Sequence, residues 1–179
     1  MTDNHGKALL VIDVQEDPTG DRSAHAYDHS KRLIEKVNDA IERSQSSGIE
    51  IIYVKHELAD CWFNRLLMHS TFIKGSEGSE INKNIKRVSQ HVFCKHRGNA
   101  LTNPELYQCL QNKKVSQLFL IGLDASACVY RTALGAMKKG YKTTVLQDAV
   151  ITRKMDKLPG ILERYKKRGI TLDVVQNLH

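Results

Sequence analysis

Three residues that can act on one another, an aspartate, a lysine and a cysteine, each stand at the end of a short apolar run. Asp13 follows Ala8-Leu9-Leu10-Val11-Ile12, and Lys95 follows His91-Val92-Phe93-Cys94. Cys128 comes shortly after Leu118-Phe119-Leu120-Ile121-Gly122 and opens a helical pattern through Val129, Thr132, Ala133 and Ala136. A thiol becomes a strong nucleophile when it loses its proton. A lysine ammonium beside it favours the thiolate, and an aspartate can accept the proton and return it to a leaving amine. A helix N-terminus adds peptide N–H groups and a dipole of the same sense, and both favour a thiolate at Cys128, although a free thiol is mostly protonated at neutral pH. The N–H groups around Asp124 and Cys128 can form an oxyanion hole. The plainer reading stays open at this point: an aspartate closing a strand is often a cap, and a cysteine before a helix is often a small core residue.

For residues so far apart in sequence to meet, the strands that carry them must end on one edge. Strand-like runs occur at Lys7–Asp13, Glu50–Lys55, His91–Lys95, Gln117–Gly122, Lys142–Gln147 and Thr171–Val175. Most are near-continuously apolar, as strands buried on both faces of a parallel sheet are. Helical patterns alternate with them. Leu33, Val37 and Ile41 recur every four residues up to Ser47-Gly48; Pro104 opens another helix, with Asn103 as its N-cap; Leu158, Ile161, Leu162 and Tyr165 mark the last, ended by Gly169. The expectation is one α/β domain over residues 1–179, a three-layer sandwich around a mostly parallel six-stranded sheet. Residues 56–90 break the alternation and read as a helix plus a loop at the carboxyl edge, where α/β proteins bind ligands.

The chain has 179 residues, of which 41% are hydrophobic and 26% charged, enough for one buried core. No apolar run approaches the roughly 20 residues of a membrane helix. Met1-Thr2-Asp3-Asn4-His5-Gly6-Lys7 lacks the apolar core of a signal peptide, so the expected compartment is the cytoplasm and no membrane partner is expected. Cys61, Cys94, Cys109 and Cys128 lack paired spacing, which argues against a zinc site or a disulfide framework. The net charge of +7 is spread along the chain apart from Arg153, Lys154, Lys157, Arg164, Lys166, Lys167 and Arg168, which read as a solvated helix face rather than a nucleic-acid surface. Asp13–Gly20 contains no glycine-rich phosphate loop, which argues against a nucleotide-binding protein.

The stretch Ala8-Leu9-Leu10-Val11-Ile12-Asp13-Val14-Gln15 resembles the opening of the isochorismatase-like cysteine hydrolases, which include nicotinamidases and N-carbamoylsarcosine amidase. The second match is Gly122-Leu123-Asp124-Ala125-Ser126-Ala127-Cys128-Val129-Tyr130-Arg131-Thr132-Ala133, with Gly140-Tyr141 and Asp148-Ala149 after it. Lys95 falls between the two matches, after a strand, as the family's lysine does. The resemblance implies Asp13 as general base, Lys95 as stabiliser of the thiolate and the intermediate, and Cys128 as nucleophile. It also implies a cis peptide bond between Leu123 and Asp124 that aims the Asp124 N–H into the oxyanion hole. True isochorismatases cleave a vinyl ether and lack the cysteine. A filled Cys128 therefore implies cleavage of a C–N bond in a small amide or ureido substrate through a thioester, without a cofactor. The alternative is a catalytically idle member that binds a partner or acts as a scaffold.

The sequence also departs from the family pattern. Asp13-Val14-Gln15-Glu16-Asp17-Pro18 lacks the phenylalanine often found there, and Asp124 stands where a small residue is common. Lys55-His56-Glu57 lacks the Asp-x-His spacing of the nicotinamidase metal site, so no metal is expected. His56, His69 and His96 are either pocket residues or surface histidines. Trp62 and Phe63 are either a substrate-pocket wall or a core or dimer contact. Arg97 and Asn99 either bind a substrate carboxylate or amide or serve as loop and cap residues. The apolar stretch from Cys61 to Met68, and the family's habit, imply a homodimer or homotetramer with Trp62 or Phe63 near the interface.

Overall fold

The computed structural model describes residues 6–67 and 69–179. The reading of the extreme amino terminus, residues 1–5, and that of Met68 lie outside the described residues. Six strands form the sheet: β1 (Gly6–Ile12), β2 (Glu50–His56), β3 (Val92–Lys95), β4 (Val115–Gly122), β5 (Lys142–Val150) and β6 (Thr171–Asp173). Their spatial order is β3-β2-β1-β4-β5-β6. Every pair is parallel, so the sheet is wholly rather than mostly parallel. The chain builds outward from β1 to β3 on one side, then returns to lay β4 on the other side of β1. The carboxyl ends of β1 and β4 thus flank the switch point of the sheet, where a crevice opens.

Successive side chains of a strand point to opposite faces, and β1 divides its residues accordingly. Ala8, Leu10 and Ile12 pack with α4 (Pro104–Asn112), α5 (Cys128–Lys138) and α6 (Leu158–Lys167). Leu9 and Val11 pack on the other face with Leu33, Val37 and Ile41 of α2 (Ser30–Ser46). Apolar residues on both faces explain why β1 reads as a continuous hydrophobic run. The helices end where their sequences say they should. Asn103 accepts a hydrogen bond from the Leu106 N–H and caps α4, with Pro104 following it. Gly140 and Gly169 sit just past α5 and α6 with positive φ.

The strands run somewhat differently from the expected spans, because the sheet's edges are set by pairing rather than by hydrophobicity. β5 continues to Val150 through a register shift opposite β4, and β6 stops at Asp173 before a 3-10 turn at Val175–Asn177. A four-residue helix, α1 (Glu16–Thr19), follows β1 and had no sequence signal of its own. Between β2 and β3 lies one short helix, α3 (Trp62–Leu67), and an irregular loop with a 3-10 turn at Glu77–Ser79. None of the described helices is long and apolar enough to cross a membrane.

Candidate active site

β1 ends at the sheet's centre, and the chain turns sharply there. Asp13 has φ 55, a left-handed conformation that aspartate tolerates better than most residues. Its N–H donates to the Val54 carbonyl, and the side chain is buried beneath the strand ends. Beside it, β4 ends at Gly122 with φ 110. A Cβ at this position would lie 2.1 Å from the Ile12 carbonyl oxygen, so only glycine lets the two strands close together here. The following peptide bond, Leu123–Asp124, is cis, and Cys128 is the first residue of α5.

Lys95 closes β3, two strands from Asp13, and its side chain crosses the end of β2 to reach the centre. Its ammonium is fully buried, 2.8 Å from Asp13 Oδ2 and 3.3 Å from Cys128 Sγ. The three residues singled out by sequence are therefore in mutual contact. Burial opposes the charge on Lys95, but the Asp13 carboxylate and the Cys128 sulfur hold its pKa above the ordinary lysine value. Burial, then the Asp13 charge, push the Cys128 thiol up to about 12, and Lys95 offsets only part of this. The sulfur carries its proton beside Asp13, whose Oδ1 is buried with no hydrogen-bond partner. Sequence could place the positive groups near the thiol but could not weigh them against desolvation.

The loop from Asp124 to Cys128 offers two peptide donors. Among the described residues, the N–H groups of Asp124 and Cys128 have no acceptor in the chain, whereas Ala125, Ser126, Ala127 and Val129 all donate within it. The Asp124 carboxylate braces this loop. Oδ1 accepts from the Ser126 N–H and hydroxyl, and Oδ2 accepts from the Thr152 hydroxyl and the Arg153 N–H. The loop is thereby tied to the residues that follow β5.

His56 joins the cluster. It ends β2 in register with Lys95, and its Nδ1 lies 3.1 Å from the Lys95 Nζ. Sequence had left it between a pocket and a surface residue, because a histidine ending a strand gives no sign of which way its ring turns. Gln15, fully buried, holds the His56 backbone from both sides. Its Oε1 accepts from the His56 N–H, and its Nε2 donates to the carbonyls of His56 and Ser79. The Asp-x-Gln spacing of the first match was the available signal for this role.

A cleft of about 210 Å³ is lined in part by Tyr27, Phe72, Arg153, His25 and His69, and reaches the cluster through Phe72, the ring neighbour of His56. Phe72 meets the His56 ring edge to face, with centroids 5.3 Å apart. The Arg153 guanidinium lies over the Tyr27 ring at 4.2 Å, donates to the His25 carbonyl at 3.5 Å and forms no ion pair with any carboxylate among the described residues. His69 therefore lines this cleft, while His96 is exposed with Nδ1 bonded to the Glu57 carbonyl.

The remaining sequence candidates fall elsewhere. Asn99 caps a 3-10 turn by accepting from the Leu101 N–H, and its amide packs against Gly135 of α5, away from the thiol. Arg97 is exposed on the loop after Lys95. Trp62 and Phe63 stack edge to face on α3 and are 75% and 55% exposed, so within one chain they form neither core nor cleft wall. Among the described residues, no three His, Cys, Asp or Glu side chains are grouped to hold a metal ion. Next to the thiol, His56 turns a ring nitrogen to an ammonium, an arrangement that does not fit a metal ligand.

A wholly parallel sheet with a cluster of polar side chains at its switch point defines an α/β protein with a site at the carboxyl edge. Residues 7–173 match the isochorismatase domain, and the chain belongs to the isochorismatase family. It is 26% identical over 148 residues to the uncharacterized isochorismatase family protein YddQ of Bacillus subtilis, covering 81% of this chain and 77% of that one. It is 27% identical over 154 residues to a protein of Arabidopsis thaliana named a probable inactive nicotinamidase, covering 79% of each. Its fold matches the crystal structure of N-carbamoylsarcosine amidase from Thermoplasma acidophilum with a TM-score of 0.84. That match has 24% identity and covers 97% of this chain and 99% of the other.

Proposed function

We propose that the protein is a cofactor-free cysteine hydrolase that cleaves a C–N bond in a small amide or ureido substrate. The observation that carries this reading is the buried Lys95 ammonium bonded at once to Asp13 and to Cys128. In the proposed reaction Cys128 Sγ attacks the substrate carbonyl carbon as Asp13 takes the thiol proton. The carbonyl oxygen gains the negative charge and accepts from the N–H groups of Asp124 and Cys128. The intermediate collapses, the C–N bond breaks, and Asp13 returns the proton to the departing nitrogen. Asp13 then deprotonates a water, which attacks the thioester carbonyl carbon; the C–S bond breaks, the acid product leaves, and Asp13 returns the proton to the Cys128 sulfur. A protonated resting thiol suits this scheme, because Asp13 must be ionised and ready when substrate arrives.

The cleft favours a substrate of few atoms, and the Arg153 guanidinium, which has no carboxylate partner among the described residues, favours one that carries a carboxylate or similar acidic group. That assigns to Arg153 the recognition for which Arg97 and Asn99 were one of two alternatives in the sequence. An idle, partner-binding member is the second reading, favoured by the name of the Arabidopsis relative. It is opposed by the filled and connected triad positions. An ammonia-release screen over small primary amides and ureido acids, run beside Cys128→Ala, tests between them. Release by the wild type alone supports the hydrolase; no release from any compound supports the idle protein.

We also propose that the chain assembles as a homodimer or homotetramer through α3, where Trp62, Phe63 and Leu66 present a contiguous apolar surface. A Trp62→Asp, Phe63→Asp double variant should sediment as a smaller species than the wild type. An unchanged sedimentation coefficient, or a monomeric wild type, would refute this assembly.

A further inference from the structure

An ammonium ion has three N–H donors in a tetrahedral fan. At Lys95 each has its own acceptor on a different element: Asp13 Oδ2 after β1 at 2.8 Å, His56 Nδ1 at the end of β2 at 3.1 Å, and Cys128 Sγ at the start of α5 at 3.3 Å. The first and last belong to the proposed reaction, and His56 is unassigned. We propose that His56 is a positioning residue, which, on the hydrolase reading, fixes Lys95 between Asp13 and Cys128 by accepting its third N–H.

The contact follows from topology. Lys95 must reach from the edge strand to the sheet's centre, and its side chain passes over the end of β2, where His56 stands opposite it in register. Its side chain is completely buried, so an N–H left without His56 would have no water to bond. A buried donor without an acceptor is costly, and the side chain would rotate to satisfy it. The histidine is itself held rigid. Gln15 grips its backbone on both sides, and Phe72 packs on its ring.

The protonation state is consistent with the geometry. An ammonium has no lone pair, so Nδ1 must be the acceptor and the ring proton sits on Nε2. The charged and titratable groups that face the ring are Lys95 from β3, His96 just after it and Asp13 from the end of β1. Burial, then the Lys95 charge, bring the His56 pKa down to about 4, so the ring keeps its Nδ1 lone pair at neutral pH.

The test replaces His56 three ways. Asparagine carries an amide oxygen close to the place of Nδ1; glutamine carries it one bond farther out; leucine carries none. The readouts are the rate of Cys128 alkylation by iodoacetamide at pH 9, followed by mass spectrometry, and kcat and KM on an amide identified in the screen. His56→Leu and His56→Gln should lower the alkylation rate about fivefold or more, and kcat about tenfold or more, with KM within about threefold. His56→Asn should stay within about threefold of the wild type in both. Alkylation needs no turnover. The expected alkylation pattern in a protein that hydrolyses nothing would uphold the positioning role and reject the hydrolase. Turnover with wild-type alkylation and kcat in the leucine or glutamine variant would do the reverse. An asparagine variant as impaired as the glutamine variant, at equal melting temperature, would also overturn the role.

Discussion

Cys94 and Cys128 each have a carboxylate and a lysine as neighbours. At Cys94 they are Glu57 and Lys55, and at Cys128 they are Asp13 and Lys95. Burial comes first in raising both thiols, to about 11 and about 12, and in each case the adjacent carboxylate adds to it. The lysines differ. Lys55 is spent on carboxylates, bonded to Glu57 at 3.1 Å and to Glu80 at 3.0 Å. Lys95 divides itself between a carboxylate and the sulfur. The settings differ too: Cys94 lies within a strand, whereas Cys128 opens a helix behind two unengaged peptide N–H groups. The same three functional groups, a thiol, a carboxylate and an ammonium, thus make a buried salt bridge in one place and a candidate nucleophile in the other. Composition at a site says less than which atom the lysine faces.

The sharpest way to break the comparison is to remove each sulfur. Cys128→Ala should lower kcat/KM by about a thousandfold or more, while Cys94→Ala stays within about twofold, as measured on the same amide. Similar losses in both would remove the distinction. The lysines should separate next. Lys95→Met should lower kcat about a hundredfold. Lys55→Met should leave turnover near normal but cost on the order of 3 kcal/mol in urea unfolding, because Glu57 would be left buried without its partner. A third effect lies in pH. With both thiols raised, the thiolate fraction and the iodoacetamide rate should climb about tenfold per pH unit, from pH 7 to 9, at Cys128 and Cys94 alike. A plateau at Cys128 by pH 8 would mean that a thiolate is already formed there. The smallest effect belongs to a residue near Lys95 in sequence but outside its site. Asn99→Ala should cost about 1 kcal/mol of stability through its lost cap and leave KM unchanged. A rise in KM would return Asn99 to the substrate.

The sheet was legible because β1, β2 and β4 are apolar on both faces, and such runs have few other readings. Asn103-Pro104, Gly140 and Gly169 set helix limits by local chemistry that tertiary packing did not override. Asp13, Lys95 and Cys128 were legible because strand ends of a parallel sheet share one edge. What lay beyond local pattern was orientation. His56 ends β2 and His96 directly follows β3, yet one ring turns to Lys95 and the other to the Glu57 carbonyl. The cleft was also hidden. Tyr27 and Arg153 come from loops 126 positions apart, and nothing in either loop shows that a guanidinium will lie on that ring. The weight of desolvation at Cys128 was hidden for a related reason, since burial is a property of the packed core and not of the neighbours in sequence.

The pairing of Asp13 with Lys95 has a consequence for how the site meets its surroundings. A carboxylate, an ammonium, a protonated thiol and an uncharged imidazole sum to zero. In the proposed reaction the proton moves from sulfur to Asp13 as the charge moves to the substrate oxygen, so the sum stays at zero through thioester formation. Such an electroneutral reaction centre draws no counter-ion from solvent as it works. Added salt would then act on the arrival of an acidic substrate at Arg153, through KM, and leave the chemical step untouched.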